Sequence, residues 1–400
     1  MGRAGSRRTI LTACFGLCVA SCPGVQPPPV PHAFDVTTLS AGRNFMCALD
    51  HAARAFCWGA NQWGQLGSRD SRDQCRTEFD GRVPCSTTPV AVAGNGRWQA
   101  IETGYEHACA IAMDGAVYCW GRNAHGEIGL PPDAEQGCRD QPNGYCSPVP
   151  SRLPGDNVFV RISIGAWFSC GITDAGTALC WGWNSTPQGH VPSGPKPGVR
   201  FREISRARCG LAEDGSVYCW NRDARDSTVK LEAPVAFQSL TVGWEHSCAL
   251  DLQQQAWCWG DNDAGQLGLG TVEPLHVTSP VRATFDLRFV SLTLPLSATC
   301  GLTGRGELHC WGYNARRQLL ASTTDKCMFV DAYGPCNLRP QLATSPAFTH
   351  VTSYPFSHIC GVTADGSVFC WGDNSAGQFG NGTKKGSRTP VQVMTALHGR

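Results

Sequence analysis

Seven times along the 400 residues, two cysteines stand with nine residues between them: Cys47 and Cys57, Cys109 and Cys119, Cys170 and Cys180, Cys209 and Cys219, Cys248 and Cys258, Cys300 and Cys310, Cys360 and Cys370. Each second cysteine is followed by a tryptophan, at Trp58, Trp120, Trp181, Trp220, Trp259, Trp311 and Trp371, and six of those seven by glycine. Between the cysteines runs a β-hairpin pattern, clearest in CAIAMDGAVYC and CGVTADGSVFC, where Asp114-Gly115 and Asp365-Gly366 divide two β-prone runs. In such a hairpin the flanking cysteines oppose one another on one face, close enough for a disulfide. Each pair is expected to staple its own hairpin. Zinc sites favour cysteines two to four residues apart, and no Cys-x-x-Cys occurs here, so neither metal nor other cofactor is expected.

Of the 23 cysteines, Cys14, Cys18 and Cys22 precede the repeats and fourteen belong to the hairpins. The remaining six form three local pairs, Cys75 with Cys85, Cys138 with Cys146 and Cys327 with Cys336, each after the tryptophan of its own repeat. No thiol of the mature chain is left over, which argues against a cysteine nucleophile, since that group must stay free and partly ionised. So many thiols fit an oxidising compartment. Closing an eleven-residue loop contributes about 2–3 kcal/mol on the chain-entropy model, replacing packing that short sheets lack.

The N-terminus agrees with export. Arg3, Arg7 and Arg8 precede an apolar stretch from Ile10 to Ala20, which has signal-peptide proportions and is too short to span a bilayer as a helix. Its end, Val19-Ala20-Ser21-Cys22, resembles the bacterial lipoprotein cleavage box, which would make Cys22 the lipid anchor of a signal segment 1–22; ordinary secretion is the alternative. Residues 23–35, with PGVQPPPVP, read as an extended stalk, and 395–400 as a tail beyond a folded body of 36–394. Net charge is +1, so no basic field is present to hold nucleic acid.

First cysteines of successive repeats lie 39 to 62 residues apart. That period, with several strands per unit, belongs to propellers, in which radial closure protects the sheet edges. The fold expected is all-β, a seven-bladed propeller. Residues 243–270 (GWEHSCALDLQQQAWCWGDNDAGQLGLG), 104–129 and 358–383 resemble the repeat of the regulator of chromosome condensation family in its cysteine-rich bacterial form. The resemblance covers residues 36 to 394 and implies seven blades, with terminal residues such as Thr389 to Val393 helping to close the ring. It also implies protein binding through loops on the propeller faces: one member exchanges nucleotide on a small GTPase beside chromatin, and a secreted bacterial relative inhibits β-lactamases.

His107, His246 and His358 recur at one repeat position, where an imidazole bonded within its own blade is favoured over a metal cage. The tryptophans read as inter-blade packing, and the GQLG segments as turns. Three enlarged loops, Ser68 to Thr88, Leu130 to Ser147 and Leu319 to Arg339, each carry their own cysteine pair. Loops from repeats six, one and two should project together, interrupted by repeat seven. Their Arg72, Arg76, Phe79, Arg139, Tyr145, Phe329 and Tyr333 are side-chain types favoured at interface hot spots and form the candidate binding arc, although staples that merely protect long loops from proteolysis would look the same. The function expected is a monomeric, exported binding module for an unidentified protein or cell-envelope ligand, touching the membrane only through its lipid. Nucleotide exchange on the family analogy, and a propeller lyase or hydrolase with its site at the central channel, are the alternatives; no catalytic residue stands out.

Overall fold

The computed structural model describes residues 36–71, 73–78, 80–131, 145–182, 198–206, 208–220, 228–315, 318–323, 325–329, 332–354 and 358–394. The signal segment with Cys22, the stalk and the tail lie outside the described residues.

Seven antiparallel sheets follow one another along the chain, and the described residues contain no helix. Blade 2 is typical, with strands Trp98–Thr103, His107–Ala112, Val117–Arg122 and Cys146–Arg152, each paired to the next. Blades 1, 3, 4, 5, 6 and 7 begin at Val36, Phe159, Phe201, Phe237, Ser291 and Phe348. In blades 1 and 6 the enlarged loop adds a fifth strand, Asp73–Thr77 against Gly81–Ala91 and Asp325–Phe329 against Ala332–Leu342. Blade 3 has three strands among the described residues, and those of blade 4 after its first are shortened to three or four residues.

The cysteine hairpin forms as its sequence dictates. Asp114 and Gly115 make the turn, Gly115 taking a φ of +84° and the Asp114 carboxylate accepting from the Ala116 amide. That register sets Cys109 directly opposite Cys119, with Cα atoms 4.0 Å apart, the close spacing of a non-hydrogen-bonded pair. The other six hairpins repeat this geometry. Cys47 is bonded to Cys57, Cys170 to Cys180 and Cys209 to Cys219, as Cys248 is to Cys258, Cys300 to Cys310 and Cys360 to Cys370, all with Cα atoms 4.0–4.1 Å apart. Every hairpin pairing expected from the spacing is therefore present, and none joins two blades. Cys57, Cys258, Cys310 and Cys370 are fully buried and Cys180 nearly so, whereas Cys219 of the shortened blade 4 is half-buried. The loop disulfides Cys75–Cys85 and Cys327–Cys336 are also formed, and Cys146 is disulfide-bonded, while Cys138 lies outside the described residues.

Neighbouring residues on a strand point to opposite faces, so each Cys-Trp dipeptide addresses two different blades at once. Cys119 faces forward, packing with Cys109 against Phe159, Ile162 and Trp181 of blade 3. Trp120 faces back, against Phe45, Leu66, Cys47 and Cys57 of blade 1. Its indole N–H donates to the Gln65 carbonyl in the Gly-Gln-Leu-Gly turn of blade 1, at 3.0 Å. Trp311 reaches Gln266 and Trp371 reaches Gln318 in the same way. Ring closure repeats the arrangement: Trp58 of blade 1 donates to the Gln378 carbonyl of blade 7, and Val36, Leu39 and Met46 pack against Tyr354, Cys360 and Cys370. The final strand, Ser387–Gln392, completes blade 7's own sheet, and Val393 beyond it joins that closing cluster; the ring is therefore shut by packing rather than by strand exchange.

The glycine that follows six of the seven tryptophans is required by the backbone there. Gly121 has φ +100°, and a Cβ there would come within 2.6 Å of the Glu106 carbonyl oxygen. It marks a bulge in the pairing of the third and fourth strands, which breaks register between Cys119 and Gly121.

The recurring histidines are structural, but their bonds cross the blade boundary rather than staying inside the blade. His107 Nε2 lies 2.9 Å from Ser169 Oγ and His246 Nε2 lies 2.8 Å from Thr299 Oγ1, both in the following blade. Those hydroxyls donate in turn to the Glu127 and Gln266 carbonyls, so the imidazole Nε2–H is the donor to each hydroxyl. His358 directs the same nitrogen at Met46 Sδ of blade 1. The reason is the pleat: a residue two before the first cysteine shares its forward face.

Trp181 is equally buried, yet its indole N–H has no acceptor among the described residues. Replacing Trp120 by Phe should cost about 1 kcal/mol more than replacing Trp181 by Phe, because only the first deletes a buried hydrogen bond. Denaturant titration of the two oxidised variants measures this; equal losses would disprove an energetic role for the indole bond.

Candidate functional site

Strand order fixes which loops share a face. In each blade the first strand runs to one face of the ring and the second returns, so the loop between strands one and two and the enlarged loop after strand three emerge together. The Asp-Gly hairpin turns lie on the opposite face.

Around the axis of the first face the short loops form an aromatic and arginine cluster. The rings of Tyr354, Tyr105, Trp167 and Trp244 follow one another at centroid distances of 6.4, 6.1 and 6.3 Å. Arginine guanidinium groups lie over three of them: Arg43 over Tyr105 at 4.2 Å, Arg206 over Tyr354 at 4.6 Å and Arg208 over Trp244 at 5.8 Å. Beneath them the Glu106 carboxylate, raised by burial although Arg122 opposes the shift, accepts from Arg122 at 2.8 Å and Arg43 at 3.5 Å. Burial pushes the Tyr354 phenol up to about 12, so it stays protonated. The sequence signal for this cluster was the changing residue inside a constant frame, as in Gly104-Tyr105-Glu106-His107 and Gly243-Trp244-Glu245-His246.

The stapled hairpin of blade 1 leans back on blade 7, where the Arg76 amide donates to the Ser375 carbonyl and Lys384 Nζ to the Gln74 carbonyl. That of blade 6 leans on blade 5, placing Leu338 against Gly265. Between the two, over blade 7, opens a cavity of about 650 Å³ lined by Arg76, Glu78, Leu296, Tyr313, Tyr354 and Arg388 among others. Of the residues expected to form the binding arc, Arg76 lies in this wall. Tyr333 is 75% exposed at the blade 6 hairpin and Tyr145 is 42% exposed just before Cys146. Phe329 ends the strand Asp325–Phe329, its side chain lying outside the described residues, as do Arg72, Phe79 and Arg139 entirely. No group of three or more His, Cys, Asp or Glu side chains suited to a metal ion occurs among the described residues.

The fold and this face define a disulfide-stapled propeller of seven tandem repeats. Profiles of the regulator of chromosome condensation (RCC1) repeat match residues 98–127, 159–186, 237–266 and 349–378 in one form, and 53–111, 114–172, 254–294 and 365–399 in another. Together they cover more than half of the chain, which belongs to this family. Among its relatives, the ultraviolet-B receptor UVR8 of Arabidopsis thaliana is 26% identical over 361 residues, 88% of this chain and 69% of that protein. The secretion-regulating guanine nucleotide exchange factor of Bos taurus is 25% identical across 83% of this chain and 62% of its own length. The human E3 ubiquitin-protein ligase HERC2 is 25% identical over 75% of this chain, which spans only 5% of that protein. The fold is shared with yeast RCC1 (Prp20), solved bound to Kap60, at a TM-score of 0.51 and 18% identity over 90% of this chain and 75% of that one.

The turn of blade 2 departs from its equivalents in one atom. Gln65, Gln266, Gln318 and Gln378 hold a position occupied by Glu127 in blade 2. Gln266 and Gln378 use both ends of the amide, the carbonyl accepting a backbone N–H and the NH₂ donating to an aspartate. Glu127 accepts the His125 amide, but its other oxygen is buried without a partner among the described residues, and burial pushes its carboxyl up to about 7. Glu102 and Glu203, also buried near blade boundaries, are raised to about 7 for the same reason. A folded value above the ordinary 4.5 means that the native state holds the proton longer, so stability falls as pH rises from about 4.5 to about 7. Glu127→Gln should therefore stabilise the protein by roughly 2–3 kcal/mol at pH 8 and by little at pH 4.5. Denaturant titrations at both pH values decide it: a gain independent of pH would refute the assignment.

Proposed function

We propose that this chain is an exported propeller, tethered through Cys22, whose first face binds a protein or cell-envelope ligand. The observation that carries the reading is the grouping on that face of the stapled hairpins, the cavity over blade 7 and exposed aromatic side chains, namely Tyr333, Tyr145 and Trp244, the last 39% exposed. Pinned loops lose little conformational entropy on binding, and exposed Tyr, Trp and Arg are the anchors that binding surfaces use. Nine disulfides between described cysteines support folding in an oxidising compartment, which separates the chain from a cytosolic GTPase and disfavours the nucleotide-exchange activity named for the bovine relative. The family relatives named as a receptor and an exchange factor support a protein-binding or regulatory role.

Two measurements test this. Cys22→Ser should shift the protein from the membrane to the soluble fraction; a cytosolic protein with free thiols would overturn export. In capture from envelope extract, replacing Tyr145, Tyr333 and Trp244 by Ala should reduce recovery of the partner at least tenfold while the disulfides stay intact, and undiminished recovery would refute the face.

A further inference from the structure

We infer that the cavity over blade 7 is a receptor site for an acidic segment of polypeptide, one that presents a carboxylate beside an aromatic or aliphatic side chain. The inference rests on the first face being the binding surface.

Charge supplies the first argument. Arg76 and Arg388 approach the cavity from blades 1 and 7, both exposed, and neither guanidinium has an ion pair or hydrogen-bond partner among the described residues. On the stapled hairpin Arg76 stands directly opposite Arg82, likewise exposed and without a carboxylate partner among the described residues. Opposed like charges destabilise a hairpin, and here the neighbouring Cys75–Cys85 bond holds the strands together regardless. A positive cluster maintained against its own repulsion is the arrangement expected where an external anion completes it. The other charges of the wall are largely committed: Arg43 to Glu106, and Asp373 to Ser375 and Gln378, leaving Glu78 as the remaining carboxylate.

Shape and polarity supply the second. Pro295, Leu296, Tyr313, Tyr354 and Ile359 give the cavity an apolar and aromatic wall, and its roughly 650 Å³ exceeds what a bare inorganic anion fills. A concave site does not match a flat bilayer. A chain of net charge +1 lacks the extended field that holds nucleic acid, which leaves carboxylate side chains of a polypeptide, bound two-pronged by arginine, as the fitting chemistry.

The test uses the purified, oxidised protein and a random copolymer of glutamate and tyrosine, with polyglutamate, a lysine–tyrosine copolymer and phosphatidylglycerol vesicles as comparisons, read by biolayer interferometry. The glutamate–tyrosine copolymer should bind most tightly, and at least tenfold more weakly to the double variant Arg76→Ala, Arg388→Ala. Arg305→Ala, an exposed arginine in the hairpin turn on the opposite face, should leave binding unchanged. Undiminished binding by the double variant, equal binding of the lysine copolymer, or preference for the vesicles would each overturn the inference. Capture of the native partner separates it from the broader reading: loss with the Tyr145, Tyr333 and Trp244 substitutions but not with the arginine pair sinks the cavity alone, whereas retention with both sinks the face.

Discussion

The pleat of a β-strand, which sends adjacent side chains to opposite faces, is the constraint on which this ring depends. Because cysteine and tryptophan are neighbours at the end of each hairpin, the disulfide must face one adjoining blade when the indole faces the other. Each sulfur pair thereby closes its own hairpin and forms apolar surface for the blade that follows, while each bonded indole pins the turn of the blade before. The same alternation carries His107 and His246 forward to hydroxyls of the next blade. A propeller built this way needs no strand exchanged between its ends, and blade 1 meets blade 7 through the contacts used elsewhere in the ring.

Departures from the pattern are local and have local causes. In blade 2, Glu127 replaces the usual glutamine, and Ser169 takes its carbonyl, while the neighbouring Trp181 has an N–H with no acceptor among the described residues. In blade 5, Gln266 serves Thr299 and Trp311 with one carbonyl, so the shared acceptor by itself does not exclude the indole. Blade 4 lacks the glycine after Trp220, has the shortest second and third strands, and leaves both Cys219 and that tryptophan only partly buried.

The proposed function belongs to the loops at the first face. The interfaces consume the faces of the sheets, so only loops remain to distinguish one member of the family from another. On the first face, this chain stiffens its longest loops with additional disulfides and crowds its axis with aromatic rings capped by arginine. Both features reduce the motion lost when a partner docks.

The hairpins, their sulfur pairing and the seven-fold repetition were legible in the chain because they depend on residues ten apart, and a tight turn such as Asp114-Gly115 fixes register over that distance. The loop pairs Cys75–Cys85 and Cys327–Cys336 could be read for the same reason. The acceptors of the indoles, the forward reach of the histidines and the cavity over blade 7 could not, since the bonded pairs lie 45 to 320 positions apart and their meeting depends on how one blade stacks on the next. Arg76 and Arg388 illustrate the division: the stapled loop marked Arg76 as a candidate binding residue while nothing marked Arg388, and only closure of the ring, bringing the first blade against the last, sets both in the wall of one cavity.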